Sequence, residues 1–493
     1  MTSPPTPMRF MAFNIYLGGT RTGGEPNRRQ LIEFIRHEQA DVVFLVETYG
    51  SGATIEAGLN EGLPETHRYQ GIQITREPDQ AENRDNLWLF TRYPVAEIYP
   101  RAARGTVTSF HFGGVRIALP SGLEVSVFTI WLDAAERAWF PTDAAALAHA
   151  HGRAPELGAD EIAASDEARR FAKARTILDD VLPGLVSDED APVVIGGDLN
   201  TLSAYDWSAR FADAYGHEGL AIPWPVTDAF ADAAFTDAYR AVYPDAGTHP
   251  GRTWSPYWGF GYAPARIDYV WTRGNALRVT GGHTHTERLQ RHEKSTFATE
   301  YPFYSDHGAL VIDLVVEGGG GAPFGVPCKE VDPTDRPDTP PIGTRIDQNE
   351  LTVEATSAQP GFEAAHVLVP DPDMFWNSAW DPPAPLPQSL TVDLGRERDL
   401  TGLTYVGRLV GRVYEEHGYG AGIDAYEVAV SSNGRTYTAA GRGTLARNRR
   451  PQWIPLRHTT GRRVRYLRLT ALEGFRGTAG VAELHVYERL ARG

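Results

Sequence analysis

One stretch limits what this chain can fold into. Residues 318–344 read GGGGAPFGVPCKEVDPTDRPDTPPIGT, where glycine and proline dominate and no apolar period survives, so no helix or strand of a shared core runs through them. The 493 residues must build one core before this stretch and another after it, each of ordinary domain size or larger. The reading is a domain over 1–317, a linker over 318–344 and a second domain over 345–493.

The two parts carry different periods. Before the linker, residues 8–15 read as a strand, 27–39 as a helix with Leu31, Ile32 and Ile35 on one face, and 41–46 as a buried strand. Strands recur at 86–90, 115–119, 125–132, 193–196, 267–271 and 309–316, and 167–181 reads as a helix. Strands with intercalated helices predict a layered α/β domain. After the linker only short strand-like runs remain, at 390–394, 403–406, 425–431, 463–471 and 482–488, which predicts an all-β sandwich.

Charge separates the parts as well. The chain carries −16, yet 18 basic and 17 acidic residues lie from Arg345 onward, leaving 29 basic and 46 acidic before it, hence −17 in the first part. That argues against a protein that coats a polyanion through a broad basic surface, and no extended nucleic acid is expected as a partner. The single cysteine, Cys328, permits no intrachain disulfide. No apolar run approaches the ~20 residues that span a bilayer, and the first residues lack a signal peptide's charged and apolar regions. Location stays open between secretion, if a leader preceded this chain, and the cytoplasm. The sequence carries no signature of oligomeric state.

Several strands end in a polar residue that their apolar neighbours do not predict: Asn14 after RFMAF, Glu47 after DVVFLV, Asp198 and Asn200 in VVIGGDLN, Asp268 in RIDYVW, and Asp306 with His307 in YSDHGALV. One such residue is ordinarily a turn or cap residue; seven in this order point to convergence at one sheet edge. Hard oxygen donors with few nitrogens suit Mg²⁺ or Mn²⁺ over zinc, and no cysteine or paired-histidine spacing is read here as a competing zinc site.

These segments together resemble the endonuclease/exonuclease/phosphatase superfamily, which includes deoxyribonuclease I, AP endonucleases, inositol polyphosphate phosphatases and neutral sphingomyelinases. The resemblance spans roughly residues 8–316 and implies a deoxyribonuclease I-like four-layer α/β sandwich that hydrolyses phosphoesters with one divalent ion. It implies that Glu47 binds the metal with Asn14 and Asp306, and that Asp198 and Asn200 orient or deprotonate the attacking water. It further implies that His307 donates to the phosphate and that Asp268 orients His307. Asp85 stands where the deoxyribonuclease branch places a carboxylate for that same purpose. The chemistry agrees: a phosphodiester anion repels nucleophiles, so a cation and a positioned carboxylate are both needed.

One departure from the family stands in VSVFTIWLD, where Trp131 replaces the histidine of an NTHLD-like strand. Indole donates an N–H but exchanges no proton at neutral pH. His149 or His151 either supplies the missing imidazole or is a solvated loop residue. The segment TWSPYWGFGYAPARIDYVW crowds Trp254, Tyr257, Trp258 and Tyr262 before Asp268; these either wall a substrate pocket or pack on themselves.

The last domain resembles the discoidin, or F5/8 type C, family with its galactose-binding-like modules, carried by FWNSAW, TVDLG, YEVAVSSNGRTY, RRVRYLRLTA and VAELHVYE. The resemblance implies a jelly-roll-like β-sandwich with ligand loops at one end and a glycan as a possible partner. Asp371 and Asp373 are candidates for a structural Ca²⁺, and Tyr414, His417, Tyr419 and Arg449 for sugar contacts. Three functions remain: a metal-dependent phosphoesterase acting on a glycan-linked, lipid-headgroup or other small phosphoester, a Mg²⁺-dependent nuclease, and a catalytically silent glycan-binding protein.

Overall fold

A computed structural model describes residues 3–489 apart from 82, 136, 258, 293–301, 319–338, 370, 372–373, 409–421, 447–449 and 458–461. Two compact units form: Met1–Tyr257 with Ala263–Pro337, and Trp258–Tyr262 with Asp338–Gly493.

The first unit holds two six-stranded sheets. One runs in the order Leu277–His285, Ala309–Gly318, Ser3–Asn14, Val42–Val46, Leu87–Thr91, Gln70–Gln73. The other runs Thr236–Asp237, Asp268–Arg273, Val193–Asp198, Glu124–Trp131, Phe112–Ala118, Val95–Ile98. Alternate residues of each strand face the opposite sheet. Met8, Phe10, Ala12, Phe44, Val127, Val194, Val270 and Leu310 form that shared interior.

Helices cover both outer faces. Leu31, Phe34 and Ile35 of helix Gly24–Glu38 and Ile55 and Leu59 of helix Gly52–Asn60 pack on the first sheet. Ala174, Ile177, Leu178, Val226 and Phe230 pack on the second. The result is the four-layer α/β sandwich read from the sequence. The expected helix over 167–181 is part of a longer helical run, Ala159–Leu185, interrupted by π turns at Glu167–Phe171 and Thr176–Val181. Four strands of these sheets had no signal: Thr236–Asp237 is only two residues long, and Gln70–Gln73, Val95–Ile98 and Leu277–His285 alternate between exposed and part-buried residues over much of their length.

The second unit is an antiparallel β-sandwich. Its longest strand, Gln388–Val406, fuses two segments that read separately in the sequence. The first half pairs with Arg463–Gly474 and Thr352–Ala355, the second with Glu483–Glu488 and Gln452–Pro455. Leu390, Val392, Leu403, Tyr405, Val428, Leu467 and Val486 fill its core.

Candidate active site

At one end of the first unit the interior layer turns from apolar to polar without a change of phase. Asn14 continues the inward face of Met8, Phe10 and Ala12; Asp198 follows Val194 and Gly196; Asp268 precedes Val270. Register then brings the ends together, because Asp198 pairs across from Asp268 on one side and Trp131 on the other. Gly196 is required beneath Asp198: a Cβ there would stand 2.1 Å from Phe44 Cδ2 of the opposite sheet. The loops leaving the strands are strained as well. Tyr16, Leu17, Glu47, Tyr49 and Asn200 all adopt positive φ, a conformation that is unfavourable for side chains with a Cβ and concentrates at functional sites.

The polar ends form one hydrogen-bonded group. Asn14 Nδ2 donates to Glu47 Oε1 at 3.1 Å and to Asp198 Oδ2 at 3.0 Å. Asn200 donates its backbone N–H to Asp198 Oδ1 at 2.8 Å and its side-chain amide to Oδ2 at 2.9 Å. His307 Nδ1 lies 2.9 Å from Asp268 Oδ2. Its Nε2 is 3.8 Å from Asp198 and 4.0 Å from Asp306, beyond hydrogen-bond reach of either carboxylate. Asn14 Nδ2 sits 3.3 Å from Nε2, but both nitrogens carry protons when the imidazole is cationic, so this contact is no bond.

Two supports hold the Asp268–His307 pair. Thr253 Oγ1 accepts from the backbone N–H of Ile267 and Asp268, its carbonyl accepts from Gly308, and the neighbouring Trp254 bridges to His307 through the backbone. On the other side Ser305 Oγ accepts from His307 N–H and donates to the Asn14 carbonyl. Neither Thr253 nor Ser305 stood out in the sequence, because hydroxyls in loops have no periodic signature.

Charge follows from this crowding. Burial alone would lower the His307 pKa, but Asp268 and Asp198 override it and hold the imidazole protonated well above the ordinary histidine range. Burial raises the Asp198 carboxyl to about 8, with Asp268 adding to the rise and His307 opposing it. Glu47 is also raised, by loss of water around it and by the Asp306 carboxylate. Four acidic residues therefore share one small polar pocket with a single imidazole. A divalent cation fits that donor set: Glu47, Asp306 and the Asn14 amide offer hard oxygens, and the cation would relieve the repulsion between Glu47 and Asp306. Asp198, Asp268 and His307 also lie close enough together to suggest a metal, but an imidazole kept protonated by two carboxylates has no free lone pair to offer.

Other expected residues lie elsewhere. Asp85 is not a partner of His307: its carboxylate accepts from Thr48 Oγ1 at 2.7 Å, Trp88 Nε1 at 2.6 Å and the Gly50 N–H. It anchors the loop that follows Glu47. His149 is engaged with the Glu218 carbonyl at 2.9 Å, and His151 caps the same helix. The imidazole beside Trp131 is instead His111, with ring centroids 6.1 Å apart, and burial with Lys173 nearby pushes its pKa down to about 4. Trp131 packs edge-on to Phe110, and its buried indole N–H has no hydrogen-bond partner among the described residues. Trp254 is 5% exposed and packed against Trp139 and Phe140, so it is a core aromatic rather than an open wall. Tyr257 neighbours Tyr16, with centroids 6.4 Å apart. Tyr262 is half-buried within the segment grouped with the second unit, and Trp258 lies outside the described residues.

In the second unit Asp373, Tyr414, His417, Tyr419 and Arg449 lie outside the described residues, and of the expected calcium pair only Asp371 is described. A different cluster stands out. The Arg408 guanidinium lies 4.2 Å from the Phe375 ring centroid, 5.4 Å from Phe362 and 5.6 Å from Trp380. It also donates to Asn377 Oδ1 at 2.9 Å. Trp380 is 38% exposed, an open aromatic face beside polar groups.

Comparison with known proteins places both units. The family model described as "Endonuclease/Exonuclease/phosphatase family" matches residues 11–307, and the F5/8 type C domain model matches 352–484. An uncharacterized Caenorhabditis elegans protein is 27% identical over 323 residues, covering 62% of this chain and 90% of that protein. Among solved structures, truncated Caenorhabditis elegans TDP2 is 16% identical with a TM-score of 0.40, covering 62% of this chain and 97% of that one. The family 32 carbohydrate-binding module of Clostridium perfringens NanJ, solved with galactose, is 29% identical with a TM-score of 0.25, covering 29% of this chain and 98% of that one. Since the first model matches more than half of the chain, this protein belongs to the Endonuclease/Exonuclease/phosphatase family, with an F5/8 type C domain following in the sequence.

Proposed function

We propose that the chain is a divalent-metal-dependent phosphoester hydrolase acting on small phosphoesters, with glycan-linked and lipid-headgroup esters favoured over long nucleic acid. The observation that carries this reading is the His307 imidazole: Asp268 holds its Nδ1 at 2.9 Å while its Nε2–H stays unclaimed by either nearby carboxylate. An Nε2–H left free at a polar strand end is a donor for a phosphoryl oxygen.

Asp198 is the acceptor for the attacking water. Its raised pKa suits a base working near neutral pH, and Asn200 and Asn14 fix both of its oxygens. Water adds to phosphorus as Asp198 takes its proton, the bond to the leaving oxygen breaks, and His307 donates to the negative charge gathering on the phosphoryl group. Glu47 and Asp306, with the Asn14 amide, would hold Mg²⁺ or Mn²⁺, which neutralises phosphate charge when bound. Trp131, paired in register with Asp198, brings a further N–H donor to the same strand end, buried in this structure.

The second unit is read as a glycan-binding module using Arg408, Asn377 and the Trp380 face, since an aromatic plane beside fixed polar groups suits a sugar's C–H face and hydroxyls. Titration with a panel of neutral monosaccharides that includes galactose tests this. Saturable binding that Arg408→Ala abolishes is expected, and no binding to any sugar removes the reading.

A panel of phosphomonoesters, phosphodiesters, lipid headgroup esters and plasmid DNA, assayed with and without Mg²⁺, tests the catalytic reading. Turnover is expected only with metal and only when Glu47 is intact. Equal turnover by Glu47→Gln, or full turnover in excess EDTA, overturns it.

A further inference from the structure

A second cluster of metal-ligating side chains lies away from the catalytic pocket. The edge strand Leu277–His285 ends in His283-Thr284-His285. The two-residue spacing along a strand puts both imidazoles on one face. Helix Gly24–Glu38 ends against them with Glu38, its last residue. His283 Nε2 lies 3.1 Å from Glu38 Oε2, and His285 Nδ1 lies 3.0 Å from Glu38 Oε1. All three residues are buried, with Glu38 fully so, and their ligand atoms fall within 4.8 Å of one another.

Aromatic rings pack beside His285. Phe34 meets the His285 ring edge-on at 4.9 Å, and Phe303 stacks on it at 6.4 Å. Arg9 donates to the Glu38 carbonyl at 3.1 Å and to both carboxylate oxygens of Asp313. Burial would raise the Glu38 carboxyl, yet the two imidazoles hold it down at about 2.

We propose that Glu38, His283 and His285 form a structural site for zinc or a similar borderline divalent ion, distinct from the all-oxygen set around Glu47. Two imidazole nitrogens and one carboxylate are a zinc donor set and a poor magnesium one. Zn–N and Zn–O bonds of about 2.0–2.1 Å at a tetrahedral angle place neighbouring ligand atoms about 3.3 Å apart. The contacts of 3.0 and 3.1 Å run to different oxygens of Glu38, and one ligand atom from each residue already lies within 4.8 Å of the others, so the carboxylate has to turn one oxygen toward both imidazoles. The ion replaces the two inward N–H protons as His283 moves its proton to Nδ1 and His285 to Nε2. Each imidazole then offers its inner nitrogen to the ion, and water completes the fourth position. Such an ion would pin the C-terminal end of the helix to the edge strand. This corrects the sequence reading, which saw no paired-histidine spacing although GGHTHTE contains one.

The test uses the full chain exposed to stoichiometric zinc, desalted through dilute EDTA and counted for metal by mass spectrometry. One zinc per chain is expected in the wild-type protein and in Glu47→Gln, with loss from Glu38→Gln and from the His283→Gln/His285→Gln double variant. Cobalt-exchanged wild-type protein should show the visible bands of a four-coordinate ion. Retention by Glu47→Gln separates this site from the catalytic one. Wild-type protein that holds no stoichiometric zinc overturns the proposal even if the variants fail to fold, and so does equal retention by a folded double variant. Either result leaves three side chains that only bond to one another.

Discussion

His307 and Trp131 share the polar end of the interior but differ in what removing them takes away. His307→Ala deletes the one cation of the carboxylate cluster, and turnover should fall by roughly 10²- to 10⁴-fold, the usual size of a general acid–base or charged-donor contribution. Trp131→Phe removes an N–H with no protein partner, so its effect on turnover should be about tenfold or less, a single hydrogen bond. Its melting temperature should barely move, because the lost ring area and the relieved buried donor offset one another. A Trp131→Phe protein as inactive as His307→Ala would remove Nε2 from its donor role. The same residues set a pH dependence. Asp198, at about 8, and Glu47 are both raised in the folded protein, so the stability linked to them is fully present below the unfolded carboxylate range and is lost as pH rises toward about 8. His307, raised above its unfolded value, has the same sign. A divalent cation competes with those protons, so the melting-temperature gain from Mg²⁺ should be larger at about pH 8.5 than at about pH 5.5. Equal gains at both pH values would mean that other groups bind the ion.

Individual strands decide how closely the two sheets approach beneath the site. Gly196→Ala would drive a methyl into Phe44, 2.1 Å away, at a cost of about 1–3 kcal/mol of overpacking, and it should lower the melting temperature. Phe44→Leu should recover part of that loss in the double variant, and strict additivity of the two changes would show that the contact is not the cause. At this scale the sequence was informative where a polar residue breaks an apolar strand in phase, as at Asn14, Asp198 and Asp268, because burial of the preceding residues already orients the side chain. It was silent where the partner comes from a distant loop. The Thr253 hydroxyl bracketing Ile267 and Asp268, the Asp85 carboxylate closing the 48–50 turn and the Arg408 guanidinium over three rings depend on tertiary placement that no local period encodes. Leu277–His285 escaped notice for a related reason: its first residues alternate between exposed and part-buried, so its apolar signal is thin even though its end carries His283 and His285.

For the molecule as a whole, net charge separates the competing substrates. The first 344 residues carry 29 basic and 46 acidic side chains, so a long polyanion approaching the pocket meets repulsion from the surrounding surface as well as the cluster itself. A basic nuclease loses affinity as salt rises because counterions compete for its phosphate contacts. An acidic hydrolase has few such contacts to lose, and salt screens its repulsion over a Debye length of about 10 Å at 0.1 M and about 3 Å at 1 M. With Mg²⁺ held saturating, turnover of plasmid DNA at subsaturating concentration should therefore be low at low ionic strength and rise with added potassium chloride. A small diester such as bis(p-nitrophenyl) phosphate carries one charge and samples little of the outer field, so its kcat/KM should change much less over the same range. A steep fall of DNA cleavage with salt, together with kcat/KM for DNA far above that for the small diester, would instead reveal a track of phosphate contacts. That outcome would move the assignment to a nuclease while leaving the metal and histidine chemistry unchanged.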